Sequence, residues 1–114
     1  AISSTIAEHP LKCMSIYASA KAAVEAACKN LAIELYEKKI RINTVVLGGV
    51  NTEMVKNVTN IVPAAKTEVD DWSRVRQLMP IAEVSDVMGA IMFLLGQDSR
   101  YITGRKIFVD GGIL

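Results

Sequence analysis

The chain alternates short apolar runs with long segments of helical periodicity, and this alternation predicts its elements. The opening stretch AISST is apolar and then hydroxyl-bearing, which is typical of a strand that runs into a loop. From about Ser15 to about Lys38, apolar and small residues recur at three- and four-residue spacing, which predicts a long helix. We expect its buried stripe to comprise Ala20, Ala23, Val24, Ala27, Cys28, Leu31, Ala32 and Leu35.

Further strands and a second helix follow in the same pattern. The nearly continuous apolar run from Ile40 to Leu47 ends in glycines and predicts a parallel strand buried on both faces. The stretch AEVSDVMGAIMFLLGQDS predicts a helix whose start no good capping residue marks, and Lys106 to Val109 predict a last short strand. Strands alternating with helices predict an α/β fold with a parallel sheet. The core stripe of the second helix would be Val84, Val87, Met88, Ile91, Met92 and Leu95.

Between about Asn51 and Pro80 the pattern loosens into mixed polar and apolar residues. A segment of this length between regular elements is usually a binding loop or lid, and we expect one or two short helices in it. Its larger apolar residues either line an apolar pocket or pack the segment against the body, and the sequence leaves both interpretations open. These residues are Met54, Val55, Trp72 and Met79.

Composition narrows the class of protein. A length of 114 residues predicts a single domain, and 51% hydrophobic with 22% charged residues argues against disorder. The net charge is +1 and the basic residues are scattered, so we expect no nucleic acid and no membrane as partner. The longest apolar run, AIMFLLG, is too short to span a bilayer, and we expect no secretory signal.

The metal-binding residue types are few. Two cysteines and one histidine show no ligand spacing, so we expect no metal site. Cys28 falls in the helical stripe and is expected to behave as a buried apolar residue. This sparse use of cysteine predicts a reducing, cytoplasmic compartment.

One pair of residues suggests chemistry. Tyr17 and Lys21 lie four apart at the start of the long helix and therefore share a face. The charge of a neighbouring ammonium favours a phenolate, and such a phenol can give a proton to a carbonyl oxygen or take one from an alcohol. The same spacing is common in surface pairs, so the pair alone leaves both interpretations open.

Four stretches in a fixed order give this pair a context: AISS, YASAK, NTVVLGGVNTEM and YITGRKIFVDGG. Together they resemble the C-terminal half of the short-chain dehydrogenase/reductase family, over the whole chain from Ala1 to Leu114. The resemblance implies part of a Rossmann-type doubly wound parallel sheet with a helical lid segment. It also implies NAD or NADP as cofactor, a small-molecule carbonyl or alcohol as substrate, and a homodimer or homotetramer.

The resemblance assigns catalytic roles to three residues. Ser4, the second serine of the ISS pattern, would hold the substrate oxygen, with Ser3 as the weaker candidate. Tyr17 would exchange a proton with that oxygen. Lys21 would favour the phenolate and bind the nicotinamide ribose, so both Tyr17 and Lys21 also count as cofactor-binding residues.

After the middle strand, the resemblance implies further cofactor contacts. Gly48 keeps the turn glycine, the amide of Val50 would meet the nicotinamide carboxamide, and the Thr52 hydroxyl would meet the carboxamide or pyrophosphate. Leu47 stands where the family usually has proline, and losing that fixed φ makes the turn less rigid.

The family's glycine-rich dinucleotide turn has no counterpart here, since neither LGGVNT nor DGGIL is GxGxxG. We therefore expect residues 1–114 to be the catalytic and lid half of one domain, without the dinucleotide-binding half and inactive alone. An alternative is a non-catalytic module that keeps the fold for self-association. The alanine-rich helix face, which includes Ala22 and Ala26, suits close helix contact.

Overall fold

The structure is a computed structural model that describes residues 1–55 and 77–113. Its strands and helices alternate, as the pattern predicts. The segment from 56 to 76, which holds Trp72 and most of the expected lid, lies outside the described residues. The elements are β1 (Ile2–Ser4), α1 (Ser15–Glu34), β2 (Thr44–Leu47), α2 (Val84–Leu95) and β3 (Lys106–Val109), with 3₁₀ turns at Thr5–Ala7, Tyr36–Lys38 and Gln97–Ser99.

The three strands form one parallel sheet in the order β1-β2-β3. The central strand β2 has its first three residues, Thr44, Val45 and Val46, buried, which confirms the prediction of a parallel strand covered on both faces. It begins at Thr44 rather than Ile40 because the amides before it bond outside the sheet ladder. The Ile40 amide donates to the Leu35 carbonyl oxygen at 3.4 Å. The Ile42 amide donates to Thr103 Oγ1 at 3.2 Å instead of joining the ladder.

The stripe predicted for α1 is buried only in part: Cys28, Ala32 and Leu35 are partly or fully buried. Lys21, Glu25, Cys28 and Ala32 lie toward the sheet and are partly or fully buried, whereas most of the predicted stripe is exposed, including Ala20, Ala23, Ala27 and Leu31. The prediction was wrong at these exposed positions because it scored only apolar residues. The two charged side chains face the strands because β1 and β3 supply partners for their polar heads. The alanine-rich face remains open in the described part of the chain.

Helix α2 is also rotated from its expected orientation. Val87 and Leu94 are its buried residues, while Val84, Met92 and Leu95 are more than half exposed. Its start does carry a cap. The Glu83 side chain accepts from the helix backbone and Asp86 Oδ2 accepts from the Glu83 amide at 2.8 Å, which forms a reciprocal capping box.

A guanidinium closes the other end of α2. Arg41, in the segment before β2, donates to the carbonyl oxygens of Leu94 at 2.8 Å, Gly96 at 3.3 Å and Ile102 at 3.1 Å. The last carbonyls of a helix have no partner within it, so this side chain supplies what the helix end lacks. Ser99 Oγ donates to the Leu94 and Gly96 oxygens as well. The end of α2 is thereby tied to the approach to β2.

The segment after β2 and the segment before α2 are joined side by side. Val50 and Ala82 form a parallel bridge, with the Asn51 amide 2.8 Å from the Ala82 oxygen and the Ala82 amide 3.0 Å from the Gly49 oxygen. Asn51 Nδ2 also donates to Glu83 Oε1 at 2.8 Å. The segment that leaves the sheet is therefore bonded to the segment that returns to α2. We call these paired residues, 49–52 with 82–83, the clamped base, and their bonds fix the position of residues 49–52.

Candidate active site

The residues with expected roles gather at the carboxyl ends of the first two strands. Ser4 is the last residue of β1, and residues 48–52 follow the last residue of β2. Parallel strands end at the same edge of a sheet, and in open α/β folds ligands bind outside that edge. Helix α1 begins after the β1 loop and carries Tyr17 in its first turn. The topology thus gives these residues a common location.

Tyr17 and Lys21 are brought together. Lys21 Nζ lies 5.6 Å from the centroid of the Tyr17 ring, within cation–π range. The Tyr17 side chain is 37% exposed, so a ligand can reach it. Lys21 Nζ also donates to the Ile2 carbonyl oxygen at 3.2 Å. An ammonium has three donors, so this bond leaves Lys21 able to bind a further acceptor.

The two adjacent serines have different surroundings. Ser4 Oγ is partly buried and accepts a hydrogen bond from the Ile6 amide at 3.3 Å, which caps the first 3₁₀ turn. A hydroxyl that accepts in this way still has its own proton to donate. In the described residues, Ser4 and Tyr17 are not hydrogen bonded to each other. Ser3 is buried, and its hydroxyl is already committed to Glu25 Oε1 at 2.6 Å. This arrangement favours Ser4 over Ser3 as the substrate-facing group.

The turn after β2 has a packing reason for its glycine. A Cβ on Gly48 would lie 2.8 Å from the Asp110 carbonyl oxygen and 2.9 Å from the Asp110 Cα. The backbone beyond β3 therefore passes where any larger residue would need space. Leu47, in the usual proline position, is the last residue of β2 and pairs with Val109.

The other two residues expected to contact the cofactor, Val50 and Thr52, belong to the clamped base. Val50 sits in the bridge with Ala82, and Thr52 is partly buried just before the helical residues 53–55. Of the expected pocket residues, Met54, Val55 and Met79 are exposed, and Trp72 is outside the described residues.

The sequence did not predict a network of charged side chains that lies close to the site residues. Glu25 accepts from Ser3 and from Lys106 Nζ, and Lys106 also pairs with Glu8. The hydrogen bond to Glu8 raises the pKa of Lys106 above its usual value; partial burial opposes the shift and Glu25 adds to it. The one sequence signal was that Glu25 lies four residues beyond Lys21 and so continues the same helix face.

Within 1–55 and 77–113, no group of three or more histidine, cysteine, aspartate or glutamate residues converges as a metal site would require. Cys13 is exposed, Cys28 is only partly buried, and both are free thiols. None of the helices described is long and apolar enough to cross a membrane.

Comparison with known proteins identifies the family. The family model described as "Enoyl-(Acyl carrier protein) reductase" matches residues 1–114. The chain is 38% identical over 112 residues to the uncharacterized oxidoreductase YmfI of Bacillus subtilis, covering 98% of this chain and 44% of the relative. It is 35% identical over 105 residues to a diacetyl reductase [(S)-acetoin forming] of Staphylococcus aureus, covering 88% and 41%.

Solved structures agree. A short-chain dehydrogenase from Mycobacterium paratuberculosis bound to NAD matches with a TM-score of 0.85 and 31% identity over 97% of this chain and 42% of that one. A blue fluorescent protein from a metagenomic library, in complex with NADPH, matches with a TM-score of 0.76 and 32% identity, again over 97% and 42%. The chain belongs to the short-chain dehydrogenase/reductase family, and its elements form part of that family's Rossmann-type fold. It spans less than half the length of these relatives.

Proposed function

We propose that residues 1–114 are the catalytic and lid half of a single-domain, NAD- or NADP-dependent oxidoreductase acting on a small-molecule carbonyl or alcohol. The observation that carries this proposal is the pairing of the Lys21 ammonium with the Tyr17 ring, 5.6 Å from its centroid, while the same ammonium donates to Ile2 of the short strand that ends at Ser4. Membership of the family and the relatives crystallised with NAD and NADPH support it. A chain without the dinucleotide-binding half would be inactive alone.

In this mechanism the residues of the chain handle the substrate oxygen. During reduction the substrate carbonyl accepts a hydrogen bond from the Ser4 hydroxyl, which stabilises the charge that develops on oxygen. The Tyr17 hydroxyl gives its proton to that oxygen and becomes a phenolate. The positive charge of Lys21 favours that phenolate. In alcohol oxidation the same phenolate takes the proton back.

The nicotinamide cofactor supplies or accepts the hydride at the substrate carbon. The donors present suit it: Lys21 and the Tyr17 hydroxyl would bind its ribose, and the Val50 amide and Thr52 hydroxyl would bind its carboxamide end. Gly48 would contribute by letting the β2 turn pass close to Asp110, so that residues 50–52 reach their places. The exposed Tyr17 ring and the clamped base at residues 49–52 fit these roles.

The test is Tyr17→Phe in the full-length protein, because phenylalanine keeps the ring and removes only the proton-bearing oxygen. We expect turnover of a ketone panel with NADH and NADPH to fall by at least about 100-fold, the usual scale for a lost acid–base group, while the unfolding midpoint stays unchanged. Ser19→Ala, an exposed change one half-turn away on α1, is the control and should keep full activity. Normal turnover by Tyr17→Phe would refute the assignment of Tyr17 as the acid–base residue.

A second candidate is a non-catalytic module for self-association, as a homodimer or homotetramer. The observation that favours it is the open small-residue face of α1, on which Ala22, Ala23, Ala26 and Ala27 are all exposed. Nicotinamide fluorescence separates the two candidates: enhancement on adding the full-length protein to NADH or NADPH supports the enzyme. An unchanged signal with both, together with a stable oligomer by light scattering, favours the module.

A further inference from the structure

Helix α1 directs a carboxylate toward the sheet one turn beyond Lys21. The Glu25 side chain is only 10% exposed. Its Oε1 accepts from Ser3 Oγ at 2.6 Å, and its Oε2 accepts from Lys106 Nζ at 3.1 Å. A carboxylate this well covered is stable only when it is paired. Its partners belong to β1 and β3, so a single side chain connects α1 to both outer strands of the described sheet.

At 2.6 Å, the bond to Ser3 has the length expected for a hydroxyl that donates to a charged carboxylate, which is shorter than an ordinary hydroxyl hydrogen bond. Ser3 is 2% exposed, so this contact is shielded from water. Its Oγ also lies 3.5 Å from the Lys21 carbonyl oxygen, which shows how closely the α1 backbone approaches β1 here. The residue immediately before Ser4 is therefore held against the helical turn that runs from Lys21 to Glu25.

The bond to Lys106 also connects Glu25, indirectly, to the chain that follows Ser4. Lys106 also pairs with Glu8, which closes the 3₁₀ turn that Ser4 caps. Glu25 is thus connected to the chain before Ser4 directly and to the chain after Ser4 through Lys106. Ser4 directly follows Ser3, Lys21 lies one helical turn before Glu25, and Tyr17 lies about two turns before Glu25 on the same helix.

We infer that Glu25 is a positioning residue: by holding Ser3 and Lys106, it fixes α1 against the end of β1 and so sets Tyr17 and Lys21 relative to Ser4. This inference rests on the proposed function and adds a residue to it. Catalytic groups must be held closely, because a misplacement of about 1 Å can cost about 100-fold in rate. A link one turn from Lys21 and one residue from Ser4 controls that geometry.

The kinetic test uses the full-length protein with a saturating nicotinamide cofactor and a ketone that it reduces. Glu25→Gln keeps the size of the side chain but places an amide against Lys106, and Ser3→Ala removes the link to β1 while leaving Ser4 intact. We expect each to lower kcat by about 10- to 100-fold with KM changed less than about twofold. The double variant should be no slower than the slower single one, since both act through one contact.

The matched control is Glu34→Gln, which removes an exposed carboxylate from the same helix and should leave kcat and KM unchanged. A lower unfolding midpoint with an unaltered kcat in both Glu25→Gln and Ser3→Ala would overturn the inference and make the network purely structural. If Glu25→Gln does not fold, Ser3→Ala decides alone, because its change in volume is small.

A crystallographic measurement separates this inference from the proposed function. Absence of turnover by the wild-type protein, or full turnover by Tyr17→Phe, refutes the proposed function whatever Glu25 does. Crystal structures of the wild type and of Ser3→Ala or Glu25→Gln then judge the positioning by itself. We expect α1 to shift against β1, with a changed distance between Lys21 and the strand end. An unshifted helix in the variant overturns the inference.

Discussion

At the scale of single residues, Gly48 shows how closely the strand ends are packed. Its neighbour is backbone, the Asp110 carbonyl and Cα, rather than a flexible side chain that could move aside. Gly89 offers the contrast, since it is exposed in the middle of α2 and a Cβ there would meet nothing within 4 Å. The two glycines therefore differ in what an added methyl group does.

We predict opposite signs for the same substitution at these positions. Gly48→Ala forces the β2 turn away from Asp110 and should lower the free energy of unfolding by about 1–3 kcal/mol. Gly89→Ala removes a flexible residue from a helix and should raise it by about 0.5–1 kcal/mol. Urea unfolding of the two full-length variants measures both. Equal effects would mean that the turn has room for a side chain.

The roles of single residues could be predicted where a short motif marks them, but not where the bonding partner is distant in the sequence. The YxxxK spacing was enough to place Tyr17 and Lys21 together, because four residues span one helical turn. The bond between Ser3 and Glu25 joins residues 22 apart, and no local pattern relates them. The sequence therefore marked Ser4 through its motif and Ser3 only as the weaker candidate for the same role, with no sign of its bond to Glu25.

At the scale of elements, Arg41 acts as the C-terminal cap of a helix to which it does not belong. We predict that Arg41→Met lowers the free energy of unfolding by about 1–3 kcal/mol, since it removes three charge-assisted hydrogen bonds to partly buried carbonyl oxygens and leaves these with only the Ser99 and Asn43 donors. Arg41→Lys should recover only part of this loss because an ammonium cannot reproduce the planar fork. Chemical denaturation measures the three proteins.

The control for this prediction is Arg100→Met, which removes an exposed arginine close to the same end of α2. It should change the free energy of unfolding by less than about 0.5 kcal/mol. A loss as large as that of Arg41→Met would show that positive charge near the helix end, rather than the specific bonds, is what matters.

Element types could be predicted better than element faces. Apolar periodicity was sufficient to predict that both helices and β3 exist, because such periodicity follows from burial on one side of an element. It failed to orient α1, since two charged residues, Lys21 and Glu25, occupy the sheet-facing stripe and their partners lie on strands remote in sequence. It missed the start of α2 because Glu83 is an uncommon cap, made effective here by Asp86 and Asn51.

At the scale of the whole molecule, the network around Lys106 connects three elements through charge and should respond to pH. The pKa of Lys106 is raised on folding. Its contribution to stability is therefore complete below the unfolded-state pKa of about 10.4 and is lost as pH rises through the higher folded value. The side chain is 43% exposed, so solvent screening keeps the effect small.

We predict that Lys106→Met and the wild type differ in free energy of unfolding at pH 8 and converge above about pH 10.4. Thermal or urea unfolding across that range measures the difference. Lys29→Met, an exposed lysine on α1, serves as the control and should show no such convergence. A gap between wild type and Lys106→Met that persists unchanged at high pH would mean that the methylene stem, not the charge, stabilises the fold.

The overall architecture was the most predictable level. The α/β class and the parallel sheet follow from the order of elements and from β2 being apolar on both faces. The family followed from four stretches in sequence order, each too short to be specific alone. Which face of α1 meets the sheet, and which residues beneath the site connect its parts, depended on long-range contacts that no window of sequence contains.

The clamped base at Val50 and Ala82 has a consequence for how such a protein can diversify. These two residues are already paired. The contacts that pair them therefore offset most of the entropy cost of closing the chain that lies between them. Doubling the length of such a connection costs only about 0.6 kcal/mol. Insertion, deletion or replacement between these two points is therefore expected to cost little stability and to leave Gly48, Tyr17 and Lys21 in place.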